Sequence, residues 1–134
     1  MAENRPVSRP LSPHLMIYRR TITMVMSIVH RMTGVALYAG TVLFAWWLLA
    51  VAAGPEAYET FQWFMGSILG WVILGGFTWA ILHHMLGGVR HLLWDTITAI
   101  DVTSARRVAW ATVIGSATLT VLVWIVAFIL KGAM

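Results

Sequence analysis

Three long stretches of the chain contain no Asp, Glu, Lys or Arg: residues 32–54, 61–89 and 108–130. About 20 consecutive, mostly apolar residues are enough for a helix to cross the hydrocarbon core of a bilayer. Each stretch therefore predicts a membrane-spanning helix. With their flanking residues, the predicted spans are about 28–54, 61–92 and 107–131. We expect an all-α membrane protein whose three-helix domain covers residues 21–134.

Residues 1–20 have a different pattern and predict an N-terminal arm. Pro6, Pro10 and Pro13 disfavour a regular helix, because proline lacks a backbone N–H and restricts the residue before it. Residues 9–15 mix apolar with polar side chains, whereas a disordered tail is usually more polar. We expect an extended segment that lies on the surface of a partner; a flexible terminus is the alternative.

Glycines in the second uncharged stretch predict close helix packing. Gly66 and Gly70 form a GxxxG pair, and Gly75 and Gly76 follow them. Small residues at such spacings allow the backbones of two membrane helices to approach each other closely.

The composition also indicates a membrane protein. Hydrophobic residues make up 60% of the 134 residues and charged residues 10%, whereas soluble domains carry roughly 25% charged residues. The absence of cysteine excludes disulfides, iron–sulfur ligation and thioether attachment of haem. The polar N-terminus has no apolar segment typical of a cleavable signal peptide, so we expect none.

Basic residues lie almost entirely on one side of the predicted spans. Eight of the nine precede the first uncharged stretch or lie between the second and the third, and only Lys131 follows the third. The loop between the first two stretches contains Glu56 and Glu59 and no basic residue. The positive-inside rule therefore predicts a cytoplasmic N-terminus and a periplasmic C-terminus. Because topology accounts for the net charge of +4, we expect no nucleic-acid partner.

A first polar cluster lies at the start of the first span. Ser27 and Arg31 are four residues apart, as are His30 and Gly34, so each pair shares a helix face. A hydroxyl and a guanidinium at this depth could hydrogen-bond a quinone carbonyl and stabilise the negative charge that develops on reduction. The alternative is an arginine that only anchors the end of the span. The spans contain no acidic residue, so we expect no proton wire across the membrane.

A second polar cluster lies at the end of the second span and begins at His84. Histidine is costly inside a bilayer, so its presence there indicates a function. Haem iron needs only axial ligands, and imidazole is a common one. Gly87 and Gly88 lie on the helix face of His84 and remove side-chain bulk from it. The pattern favours haem ligation by His84; a packing histidine is the alternative. His83 points about 100° away and is expected to be structural.

Cationic groups near the membrane surface would meet the haem propionates. His91 lies two turns beyond His84 on nearly the same face, accompanied by Arg90. His30 and Arg31 of the first cluster could reach the same carboxylates. A six-coordinate haem needs a second axial ligand, and the other two spans offer no clear candidate. We therefore expect a partner subunit to donate it.

These segments resemble the cytochrome b family of large membrane anchors of succinate dehydrogenase, respiratory complex II, whose bacterial members are cytochrome b556 subunits. Residues 27–34 match the family motif S-I-x-H-R-x-[ST]-G, and residues 84–95 match H-x3-G-x-R-H-x3-D. Residues 9–15, with Tyr18 and Arg19, resemble its N-terminal signature. The resemblance covers the whole chain.

The resemblance implies a role in a four-subunit enzyme with a flavoprotein, an iron–sulfur subunit and a small hydrophobic anchor. It implies that His84 is an axial ligand of one haem b, shared with the small anchor, and that His30, Arg31 and His91 lie at the propionates. Ser27 and Arg31 would line the site where the iron–sulfur subunit reduces ubiquinone. The arm would contact that subunit.

Two other functions stay open from the sequence. The chain could anchor a quinol:fumarate reductase, which runs the same chemistry in reverse, or be a haem-free structural or assembly protein of the membrane. The lack of a transit peptide favours a bacterial inner membrane over a mitochondrial one. Whether the four-subunit complex associates further is left open.

Overall fold

The computed structural model describes residues 9–133, which contain five helices and no strand. Their bounds are His14–Ile17 (α1), Ile22–Ala53 (α2), Pro55–Gly66 (α3), Ile68–Asp95 (α4) and Val102–Ala133 (α5). Residues 1–8 of the predicted arm, with Pro6, and Met134 lie outside the described residues. Three helices are long and apolar enough to cross a membrane: Ile22–Ala53, Ile68–Asp95 and Val102–Gly132. The prediction of an all-α protein with three spans is confirmed.

The arm contains one helical turn that the sequence did not predict. α1 starts directly after Pro13, whose φ of −73° and ψ of −5° are helical. Proline is tolerated at a helix start, because the N–H that it lacks has no partner there. The turn ends at Tyr18, where the backbone becomes extended.

The helix that contains the first predicted span begins at Ile22, six residues before the predicted start of that span. Thr21 is extended, and the helix then runs without interruption from Ile22 through the first polar cluster. No proline or glycine lies between Thr21 and Gly34 to stop it. Ser27, His30 and Arg31 are therefore held on the same rigid helix as the apolar span.

The second uncharged stretch is divided into two helices. α3 begins with Pro55 and ends at Gly66, Ser67 is extended, and Ser67 Oγ accepts a hydrogen bond from the N–H of Gly70 at the start of α4. Gly66 and Gly70 consequently lie on different helices, so the expected GxxxG pair on one helix face is wrong. A Cβ on Gly70 would lie 2.5 Å from the carbonyl oxygens of Phe64 and Met65, so glycine allows the sharp change of direction here.

The helix that contains the third predicted span likewise begins before that span, at Val102. The carboxylate of Asp101 accepts a hydrogen bond of 2.9 Å from the N–H of Ser104 and so caps the helix. Arg106 and Arg107 therefore lie within the first two turns of α5 and not before it.

α4 is the centre of the bundle and packs against α5, α2 and α3. Its buried positions, and those of its neighbours, carry mainly small residues: Gly40, Ala50, Gly70, Ala80, Gly87, Ala109 and Ser116. Small residues are typical of membrane helix interfaces, where van der Waals contact replaces the hydrophobic effect. This packing brings the N-terminal part of α2 beside the C-terminal part of α4, and the two polar clusters meet there.

Candidate haem and quinone site

The centre of the site is a pair of stacked imidazoles. The ring centroids of His30 on α2 and His84 on α4 are 4.0 Å apart, and the ring planes differ by 10°. The sequence predicted that the clusters of these residues face each other. It did not predict that the rings stack.

Each of these histidines also hydrogen-bonds the backbone of the other. Nδ1 of His84 lies 3.1 Å from the carbonyl O of His30, and Nε2 of His30 lies 3.3 Å from the carbonyl O of His84. A carbonyl oxygen can only accept, so Nδ1 of His84 and Nε2 of His30 carry the hydrogens. The two bonds fix the rotation of both rings and join α2 to α4.

The other nitrogen of His84 is free to act as a ligand. Among residues 9–133, the hydrogen bonds of the His84 ring are made by Nδ1 and not by Nε2. Nε2 is also not sealed inside the protein. With the proton on Nδ1, Nε2 presents a lone pair. This is the usual state of a metal-ligating histidine, whose second nitrogen donates to a carbonyl or carboxylate.

Thr33 is a member of the site that the sequence analysis missed. Its buried hydroxyl donates to the carbonyl O of His30 at 2.9 Å, and its Oγ1 lies 3.2 Å from Nδ1 of His84. Its place three residues after His30 is the signal that could have identified it, because that residue shares the helix face of His30.

Gly87 makes room for a protein side chain, whereas we expected it to clear space for a macrocycle. A Cβ on Gly87 would overlap Cδ2 of His30 and lie 2.9 Å from its Nε2. Gly34 has a similar role on α2, where a Cβ would lie 3.1 Å from Cε1 of His84. A Cβ on Gly88 would meet no atom within 4 Å, so this face of α4 is open, as predicted from the sequence.

His91 extends the row of rings toward the end of α4. Its ring centroid lies 5.1 Å from that of His30 and 5.3 Å from that of Trp94, and its side chain is exposed. His30, His84 and His91 are therefore brought together, as the sequence spacing predicted.

Ser27 and Arg31 lie one turn apart on α2, with Ser27 half-buried and Arg31 exposed. A cleft of about 530 Å³ opens at the same end of the bundle, and Thr21, Trp94 and Arg106 are among its lining residues. Neither Ser27 nor Arg31 lines it. Arg31 instead lies on the outside of the bundle and Ser27 is half-buried, so a quinone pocket that includes them needs walls from another subunit.

His83 and Arg90 form a separate polar face of α4, directed at α5. Nδ1 of His83 lies 3.1 Å from Oγ of Ser116, and the His83 side chain is 1% exposed. Arg90, expected at the membrane surface beside His91, is also 1% exposed, with its guanidinium 5.2 Å from the centre of the Trp94 ring. The reason is helical periodicity: Arg90 is seven residues from His83 and shares its face, about 100° from His91.

Comparison with known proteins shows the family of this chain. A family model described as the succinate dehydrogenase/fumarate reductase transmembrane subunit matches residues 5–123. The succinate dehydrogenase cytochrome b556 subunit of Paracoccus denitrificans is 42% identical over 129 residues, which cover 96% of this chain and 99% of that protein.

More distant relatives are also described as succinate dehydrogenase cytochrome b subunits. The cytochrome b556 subunit of Rickettsia felis is 35% identical over 87% of this chain and 91% of its own length. The mitochondrial cytochrome b560 subunit of Bos taurus is 35% identical over 79% of this chain and 64% of its own length. The chain is thus a multi-pass membrane protein with bacterial relatives, as predicted. It belongs to the family of succinate dehydrogenase/fumarate reductase transmembrane subunits.

Proposed function

We propose that this chain anchors succinate dehydrogenase in a bacterial inner membrane, binds haem b and forms part of the ubiquinone site. The family includes anchors of both succinate dehydrogenase and fumarate reductase. The names of the Paracoccus, Rickettsia and mitochondrial relatives are all those of succinate dehydrogenase subunits, which favours succinate oxidation. A quinol:fumarate reductase anchor is the second candidate.

The hydrogen bonding of His84 carries the haem proposal. Nδ1 donates to the carbonyl O of His30, which leaves the lone pair of Nε2 for iron. Gly88 leaves the adjacent helix face open. The residues present therefore fit a haem with His84 as one axial ligand, and such a haem would supply one-electron redox chemistry. The second ligand would come from the small hydrophobic anchor.

His83 fits this role poorly, although it is the neighbouring histidine. Its Nε2 is buried and has no hydrogen-bond partner among the described residues, while its Nδ1 bonds Ser116 on α5. A haem cannot reach a nitrogen that the protein's own helices enclose. In a haem-free structural protein His84 would serve only for packing.

His30, Arg31 and His91 would stabilise the propionates of this haem. Arg31 and His91 are exposed and can turn toward carboxylates, and guanidinium groups bind carboxylates through charge-assisted hydrogen bonds. His30 is held against His84 by stacking and by its bond to the His84 carbonyl. We therefore expect His30 to orient the iron ligand as well as to contribute to the propionate environment.

Ser27 and Arg31 would form this chain's part of the ubiquinone site. The hydroxyl and the guanidinium can donate hydrogen bonds to a quinone carbonyl and stabilise the charge that appears when electrons arrive from the iron–sulfur subunit. An exposed Arg31 and a half-buried Ser27 near the start of α2 suit a site completed by that subunit and by the small anchor.

The arm and the charge distribution support the expected partners and orientation. Leu11 and Leu15 are 86% and 94% exposed, which is unfavourable in water and suits contact with the iron–sulfur subunit. The flavoprotein would join the complex through that subunit. The basic residues before α2 and between α4 and α5 favour a cytoplasmic N-terminus and a periplasmic C-terminus.

Ser27→Ala and Arg31→Ala test the quinone role in the purified complex. We expect slower ubiquinone reduction, while succinate oxidation by a soluble artificial acceptor continues, because that acceptor takes electrons before they reach the membrane. Thr41→Val, an exposed change on the same helix, is the control. Equal loss of both activities would indicate failed assembly and contradict a direct role in quinone reduction.

A further inference from the structure

We propose that Thr33 is a positioning residue that sets the hydrogen bonding of Nδ1 of His84. Through this bond it would tune the reduction potential of the iron that His84 ligates. The inference rests on the haem-binding function proposed above and assigns a role to a residue that would not touch the haem iron.

The geometry around Nδ1 carries the proposal. The Thr33 side chain is buried, with 3% exposed, and its hydroxyl hydrogen is donated to the carbonyl O of His30 at 2.9 Å. Oγ1 of Thr33 therefore faces Nδ1 of His84, 3.2 Å away, with a lone pair. The N–H of His84 is shared between this oxygen and the carbonyl O of His30, which is 3.1 Å from Nδ1.

Removal of the hydroxyl would change this bond in two opposite directions. It deletes one of the two acceptors of the His84 N–H, which weakens the hydrogen bonding of Nδ1. It also frees a lone pair on the His30 carbonyl, which strengthens the remaining bond. Neighbouring hydrogen bonds change each other's strength by roughly 10–30%. Loss of one of two acceptors is the larger change, so Nδ1 is left with weaker hydrogen bonding.

The consequence reaches the iron through the imidazole. A hydrogen bond donated by the second nitrogen raises the basicity of the ligating nitrogen, which stabilises the more oxidised metal. Weaker hydrogen bonding of Nδ1 therefore makes Nε2 of His84 a poorer donor and raises the reduction potential.

If the Thr33 hydroxyl only bonded the carbonyl of the preceding turn, its loss should affect the haem no more than the loss of another such hydroxyl on α2. The chain provides a matched control for this alternative. Threonine hydroxyls in helices often bond a carbonyl of the preceding turn. Thr41, eight residues along α2, does so with the carbonyl O of Tyr38 and is exposed. Thr41→Val removes the same kind of bond without changing the surroundings of His84.

The test is a redox titration of the haem absorbance in the purified four-subunit complex. Thr33→Val should shift the midpoint potential in the positive direction relative to the unmodified complex. Thr33→Ser, which retains the hydroxyl, should restore it, and Thr41→Val should leave it unchanged. Thr33→Ala removes the same hydroxyl from a smaller side chain and replaces Thr33→Val if the latter does not assemble.

Two results would overturn the role of Thr33. One is an unchanged or more negative potential in the variant without the hydroxyl, at normal haem content. The other is an equal shift in Thr33→Val and Thr41→Val. A complex of the unmodified chain that has no haem b absorbance would instead contradict the proposed function, so the two failures can be told apart.

Discussion

At the scale of single residues, the histidine pair depends on a glycine beneath it. His30 is stacked on His84 and bonded to its carbonyl, so its ring cannot move away from the backbone of Gly87 without breaking both interactions. Glycine is needed here for a close approach between a ring and a helix backbone. Gly88, the next residue, has open space beside it.

We predict that Gly87→Ala destabilises the site and that Gly76→Ala, elsewhere on α4, does not. The new methyl group overlaps the His30 ring, and overpacking of this kind costs about 1–3 kcal/mol. The thermal midpoint and the haem content of the purified complex measure the effect. Gly76→Ala is the matched control, because a Cβ at this position of α4 would meet no atom within 4 Å and Gly76 has no role in the haem site; it should leave both values unchanged. Equal effects of the two substitutions would contradict the packing of His30 on Gly87.

Part of this site could be predicted from residue spacing, and part could not. The spacing from His84 to Gly88 and His91 places these residues on one face of a helix, and the described structure brings His84, His30 and His91 together. The reciprocal carbonyl bonds depend on the rotation of α2 against α4, which spacing within one helix does not determine. The direction of Arg90 was predictable, because it shares the face of His83.

At the scale of helices, the start of α5 depends on one exposed carboxylate. The backbone N–H of Ser104 donates a hydrogen bond to the Asp101 carboxylate, and the Ser104 side chain donates a second, weaker one. These bonds lower the pKa of this carboxyl below its usual 3.8. Asp101 therefore stabilises the helix start at any pH above that usual value. This contribution is lost as the pH falls through the lower pKa of the folded state.

We predict that Asp101→Asn removes this acid sensitivity and retains the cap. Asparagine caps helices about as well as aspartate and does not titrate. The thermal midpoint of the purified complex, measured from neutral pH to below the ordinary aspartate pKa, should fall less in Asp101→Asn than in the unmodified complex. Asp95→Asn, an exposed carboxylate at the other end of the loop, is the control. Parallel acid profiles would contradict the role of Asp101.

Helix boundaries were the part of the fold least visible in the sequence. Residues 61–89 are uncharged throughout and so predicted one span, but Ser67 ends α3 and caps α4 within that stretch. The signal of this break, a serine three residues before Gly70, is local and has little effect on overall hydrophobicity. Ile97 and Ala99 in the following loop have positive φ values, which their residue types do not predict.

At the scale of the whole molecule, the bundle is incomplete alone. The buried apolar side chains among the described residues are Met26, Ala50, Ala80 and Ala109. Most large apolar side chains face outward, toward lipid or other subunits. Three helices with so small a core need external contacts for stability, which agrees with the role of an anchor subunit.

Orientation in the membrane is a testable property of the whole molecule. The chain contains no cysteine, so single cysteines report their own accessibility. We predict that Gln62→Cys in α3 reacts with a membrane-impermeant maleimide on intact spheroplasts. Thr98→Cys, between α4 and α5, should react only after the membrane is solubilised. Both positions are exposed in the structure, so they are a matched pair. The reverse pattern would contradict a cytoplasmic N-terminus.

The most direct measurement is the reduced-minus-oxidised absorption spectrum of the purified complex with His84→Leu compared with His83→Leu. Nε2 of His84 is not sealed inside the protein, whereas Nε2 of His83 is buried, so the two neighbours differ in their access to a haem. We predict that His84→Leu abolishes or alters the haem b band. His83→Leu should retain the band per assembled complex, even if the lost bond to Ser116 lowers the yield. A normal band in His84→Leu, with loss of the band in His83→Leu, would contradict ligation of the haem by His84.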